Sequence, residues 1–100
     1  MAQAATEYEI MVVLHPDIVG DLIEERMAHL RGTLTDYGND VTEVIDWGRR
    51  RLAYPIKQAF EGHYLIAHYE GGSESRRDEL EQSLLIDEQV LRHLIVRRDH

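Results

Sequence analysis

The chain of 100 residues has no cysteine. That excludes a disulfide frame, thiolate metal ligands and a cysteine nucleophile. Lysine is nearly absent too: of the 11 basic residues only Lys57 is one, and 19 acids leave a net charge of −8. A general nucleic-acid binder carries a basic footprint, so any RNA contact has to come from local cationic spots. No apolar run approaches the roughly 18 residues of a membrane-spanning helix. The opening Met1-Ala2-Gln3-Ala4-Ala5-Thr6 lacks a signal-peptide pattern. These absences predict a soluble cytoplasmic protein. Catalytic patterns are missing as well, with no phosphate-cradling glycine loop, nucleophile elbow or metalloprotease helix. The six histidines are scattered, and His63 and His68, an odd number of positions apart on one strand, point to opposite faces. We expect no enzyme, no metal site and no cofactor.

What is present is an ordered succession of patterns. Tyr8 to Leu14 is a β-rich apolar run closed by His15-Pro16, with Tyr8, Ile10, Val12 and Leu14 on one face. Asp17 is positioned to cap a helix whose stripe is Val19, Ile23, Met27, Leu30 and Leu34, ended by Gly38. Val41 to Trp47 reads as a second strand, residues 58–62 as a connection, and His63 to Glu70 as a third strand. Gly71-Gly72-Ser73 makes a turn, and Ser75 with Asp78 offers a capping box for a short helix with Leu80 and Leu84 inward. Val90 to Arg98 is the last strand.

The order β-α-β-β-α-β predicts an α+β, ferredoxin-like sandwich: a four-stranded antiparallel sheet with both helices on one face. The expected division is a flexible N-terminal extension over 1–6, one domain over 7–98 and a C-terminal end at 99–100. With Ile10, Val12, Leu14, Leu65, Ala67 and Tyr69 under the helices, the open face carries Met11, Val13, Tyr64, Ile66, Leu94 and Val96. Such an apolar face marks a partner site.

The densest chemistry lies between Asp46 and Lys57. Three consecutive arginines, Arg49, Arg50 and Arg51, stand among Trp47, Gly48, Tyr54 and Pro55. Guanidinium forks suit phosphate, while the glycine and proline suggest a strand end and a hairpin corner. Alternation along a strand would aim adjacent arginines at opposite faces. A second basic group is Arg92, Arg97 and Arg98, whereas the acids crowd both helices. The run Trp47-Gly48-Arg49-Arg50-Arg51-Leu52-Ala53-Tyr54-Pro55-Ile56 resembles the signature of the bacterial small-subunit ribosomal protein S6 family. The resemblance extends through Tyr8-Glu9-Ile10, Gly62-His63-Tyr64 and Leu80 to Arg97, roughly residues 7–98.

That resemblance implies a structural constituent of the small ribosomal subunit, binding the central domain of small-subunit rRNA as a heterodimer with ribosomal protein S18. It makes Arg49, Arg50 and Arg51 candidate rRNA contacts, with Lys57, Arg92 and Arg97 as further phosphate candidates. Trp47 and Tyr54 would pack the hairpin base, and Leu52, Ala53, Pro55 and Ile56 would be structural. Leu85 departs from the family pattern, standing where relatives often carry a basic residue. An acidic body needs a basic partner, and the apolar sheet face gives that partner a place to bind. The alternative is a non-ribosomal interaction domain that self-associates through the same face.

Overall fold

The computed structural model describes residues 6–71 and 74–98. The elements are β1 (Thr6–Leu14), α1 (Asp21–Asp36), β2 (Asp40–Ile56), β3 (Ala59–Gly71), α2 (Glu74–Leu85) and β4 (Val90–Arg97). They form one antiparallel sheet in the order β2-β3-β1-β4, the ferredoxin-like α+β arrangement that the element order predicts. The strands β1 and β3 lie at its centre. Ile10, Val12, Leu14, Leu65, Ala67 and Tyr69 meet Ile23, Leu30 and Leu34 of α1 and Leu80 and Leu84 of α2 in a single core. Each large aliphatic side chain so buried contributes about 1.5–3 kcal/mol.

Several local expectations are corrected. Thr6, assigned to the N-terminal extension, opens β1 opposite Gly71. Asp17 does not cap α1. Instead the Ile18 amide closes a turn on the His15 carbonyl at 3.0 Å, and Ile18 itself is buried. The helix starts four residues later behind Gly20, at φ 61°, without a side-chain cap. Val19 consequently falls ahead of the helix and is exposed, so the apolar stripe begins at Ile23. The helix end follows the sequence: Gly38 takes φ 84°, and Asn39 donates from its backbone to the Leu34 carbonyl at 3.1 Å. Residues 1–5, the Gly72-Ser73 turn, the side chain of Ser75 in the expected capping box, and residues 99–100 lie outside the described residues.

The largest correction concerns the hairpin. Residues 58–62 are not a connection, because β3 already begins at Ala59, and β2 runs unbroken to Ile56. The turn is Lys57-Gln58, both in the left-handed region at φ 49° and 67°, as a tight two-residue hairpin requires. Gly48 is no corner either. It sits at φ 90° beside a bulge, where pairing steps from Asp46 with Leu65 to Gly48 with Tyr64 and leaves Trp47 as the extra residue. Pro55 is tolerated because β2 is an edge strand and its pairing lapses between Arg51 and Ile56.

The resulting arm reaches past β1 to β4 and covers one end of the face opposite the helices. Leu52, Ile56, Ala59 and Tyr64 pack with Val13 and Leu91 into a second, smaller core. Lys57 Nζ bonds the Val90 carbonyl at 3.4 Å, and Arg92 bonds the Tyr54 hydroxyl at 3.2 Å. Gly62 permits the close approach, since a β-carbon there would collide with the Val13 side chain. Val13, expected on the open face, is therefore only 1% exposed.

Candidate nucleic-acid interface

The bulge at Trp47 decides where each arginine goes. Beyond it Gly48 pairs with Tyr64, Arg49 with His63, Arg50 with Gly62 and Arg51 with Glu61. Tyr64 lies on the face away from the helices, so Arg50 shares that face and its neighbours take the other. The guanidinium carbon of Arg50 stands 4.0 Å over the Trp47 ring, which is tilted against Tyr64 with centroids 6.0 Å apart. This cation–π contact engages Trp47, which belongs to neither apolar core; at 45% exposure the indole remains partly open.

Arg49 has a bracing job. Its Nε donates to Glu61 at 2.8 Å and its terminal nitrogen to the Pro16 carbonyl at 3.2 Å. It thereby ties the arm to the loop between β1 and α1. Arg51, next along the same face, is exposed and has no hydrogen bond, ion pair or ring contact among the described residues. Between arm and loop lies an open groove of about 500 Å³, lined by His15, Asp17, Arg49, Arg51, Phe60 and Glu61 among others. Phe60, 63% exposed, was not anticipated by the sequence reading. Its only advance signal was a phenylalanine in a stretch otherwise too polar to bury one.

The remaining cationic candidates are not gathered here. Lys57 is at the hairpin tip, Arg92 is held by Tyr54, and Arg97 pairs in register with Tyr8, on the helix side of the sheet. Arg92 pairs with Val13 and so lies on the opposite side. The six positions thus mark several surfaces: Arg49 and Arg51 line one groove, and Lys57 and Arg92 line another.

The uncovered part of the sheet face keeps an apolar strip. Met11 and Ile66 pair across β1 and β3, Met11 and Leu94 across β1 and β4. Leu94 is 46% and Val96 40% exposed, while Met11, Tyr64 and Ile66 are half-buried. At one end of the strip His68 joins three strands, bonding Glu43 through Nδ1 at 2.7 Å and Glu9 through Nε2 at 2.8 Å. Burial pulls its pKa down, but the bonds to Glu9 and Glu43 outweigh that and leave it raised. A carboxylate on each ring nitrogen favours the imidazolium form, in which both N–H groups donate. Among the described residues no three histidine or acidic side chains are grouped to hold a metal ion, and no helix is long and apolar enough to cross a membrane.

The fold resembles the crystal structure of 30S ribosomal protein S6 from Thermotoga maritima, with a TM-score of 0.86 at 22% identity over 95% of this chain and 89% of that one. It also resembles the C-terminal domain of the MgtC protein from Mycobacterium tuberculosis, with a TM-score of 0.67 at 14% identity. Both likenesses speak for the architecture alone. In sequence the chain is 34% identical to small ribosomal subunit protein bS6 of Carboxydothermus hydrogenoformans, over 93% of its own length and 96% of the relative's. It is 39% identical to the protein of the same name from Natranaerobius thermophilus, over 90% and 93%. The model of the family described as ribosomal protein S6 matches residues 7–97, from the second residue of β1 to the end of β4 and across the whole arginine arm. On that match the chain belongs to the ribosomal protein S6 family.

Proposed function

We propose that this protein is a structural component of the small ribosomal subunit. In it, the protein binds the central domain of the subunit rRNA together with ribosomal protein S18. The observation that carries the RNA half is the arm, where Arg51 is exposed beside Arg49 and has no partner among the described residues. The overall charge of −8 supports the partner half. A body this acidic repels a phosphate backbone except where cations are concentrated, so a basic companion has to share the binding. The strip of Met11, Ile66, Leu94 and Val96 is the surface we assign to that companion, with Tyr64 at its edge. Val13 is excluded from it by the arm.

The test is binding to a central-domain rRNA fragment with and without S18, at two salt concentrations. The reading expects affinity only with the partner, falling steeply as salt rises, and reduced by Arg51→Ala. A homodimer that forms without RNA or S18 and is lost on Ile66→Asp would instead support self-association through the same strip.

A further inference from the structure

The charged side chains of the groove beside the arm are unequally engaged. Asp17 lies 3.4 Å from His15, and Glu61 is held by Arg49 at 2.8 Å. Of the groove's two arginines, Arg49 is taken up by Glu61 and Pro16, while Arg51 is engaged by nothing inside the described residues. Beside it Phe60 is 63% exposed and belongs to neither apolar core. An exposed ring on a well-braced hairpin has no internal reason to be aromatic.

From this we infer that the groove receives one unpaired nucleotide of an RNA strand, with its base on the Phe60 ring and its phosphate on Arg51. The inference rests on the ribosomal reading above and specifies what the arm recognises. Unpaired bases stack on aromatic side chains while a neighbouring cation takes the backbone. The volume of about 500 Å³ suits a small ligand. A duplex does not fit the chemistry. Its closely spaced phosphates would run against the carboxylates of Asp17 and Glu61. Arg49 positions the groove without binding in it, since its bonds to Pro16 and Glu61 set the distance between arm and loop.

The experiment uses the full chain with S18 and the central-domain rRNA fragment. Phe60→Leu should weaken binding about tenfold and leave the salt dependence unchanged, because stacking carries no counterion release. Arg51→Gln should weaken binding and lower the slope of log affinity against log salt by about 0.7–0.9, the value of one phosphate contact. In a Trp47→Phe background, Phe60→Trp should report stacking as quenched emission when RNA is added. If the unsubstituted chain binds RNA but both variants bind equally well, or the emission is unchanged, the nucleotide site is overturned and the ribosomal reading survives. If the unsubstituted chain and S18 bind no RNA, both fall together.

Discussion

Arg92 donates a hydrogen bond to the Tyr54 hydroxyl at 3.2 Å, joining positions 38 apart and fastening the arm to the far edge strand. One of the phosphate candidates is thereby occupied in holding the protein's own shape. Arg92→Ala should leave global stability within about 1 kcal/mol, since the bond is exposed. It should speed amide exchange around Leu52 to Ile56 about fivefold, measurable by hydrogen exchange with mass spectrometry. Unchanged exchange would mean the arm is held by its apolar contacts and the Lys57 and Arg49 bonds without help from Arg92.

Gly62→Ala tests those apolar contacts. The added methyl would meet the Val13 side chain and come within 3.2 Å of the Leu14 carbonyl. Overpacking of this kind costs about 1–3 kcal/mol. A urea midpoint equal to that of the unsubstituted protein would show that the arm can shift without loss.

His68 makes stability depend on pH in a defined direction. Its pKa in the folded chain is raised from 6.5, so the folded state binds the proton more tightly than the unfolded state. The clamp's contribution is complete below the unfolded value and is lost as pH rises through the folded one. Glu9 from β1, Glu43 from β2 and the more distant Arg98 are the charges acting on it. Replacing Glu43→Gln should flatten the decline in urea midpoint between neutral and mildly alkaline pH. An unaltered profile would remove His68 as its source.

Arg26 and Asp87 give the opposite slope. Their bond of 2.6 Å links α1 to the segment before β4, with side chains 17% and 20% exposed. Burial raises the Asp87 pKa, but the Arg26 guanidinium and the Gln89 amide overcome this and leave it lowered. The pair's contribution is therefore present above the unfolded carboxylate value and lost as pH falls through the folded one. Asp87→Ala should cost about 1–3 kcal/mol, because Arg26, whose Nε already lacks a partner, would be stranded. Arg26→Met combined with Asp87→Leu should recover most of that loss in the same unfolding assay.

Much of the architecture was legible because periodicity and burial agree. Ile10, Val12 and Leu14 alternate in the sequence and lie in the core, and Gly38 ends α1 where a helix needs a left-handed residue. The family signature was equally plain. What the sequence could not convey was the length of the arm. Residues 58–62 look like a polar loop because the exterior of a two-stranded ribbon is polar, and Lys57-Gln58 lacks the glycine or asparagine that usually marks such a turn. Val13 was misjudged for the same reason. Its cover comes from Leu52 and Ile56, far along the chain and visible only once the ribbon curls over β1. The division of labour among the arginines was half legible: alternation separates Arg50 from its neighbours, but the Glu61 and Pro16 partners that distinguish Arg49 from Arg51 are tertiary.

The extra residue at Trp47 acts as a phase setting for everything downstream on β2. With it, Arg50 lies over the indole, and Arg49 and Arg51 line the groove. Without the bulge, the ladder that pairs Asp46 with Leu65 would run on to pair Trp47 with Tyr64 and Arg50 with Glu61, exchanging the surfaces that odd and even positions address. The same residues in an unbulged ladder would thus keep composition, net charge and the arginine triplet while inverting which side of the molecule presents which cation. For this arm, the same letters in a different phase would spell a different surface.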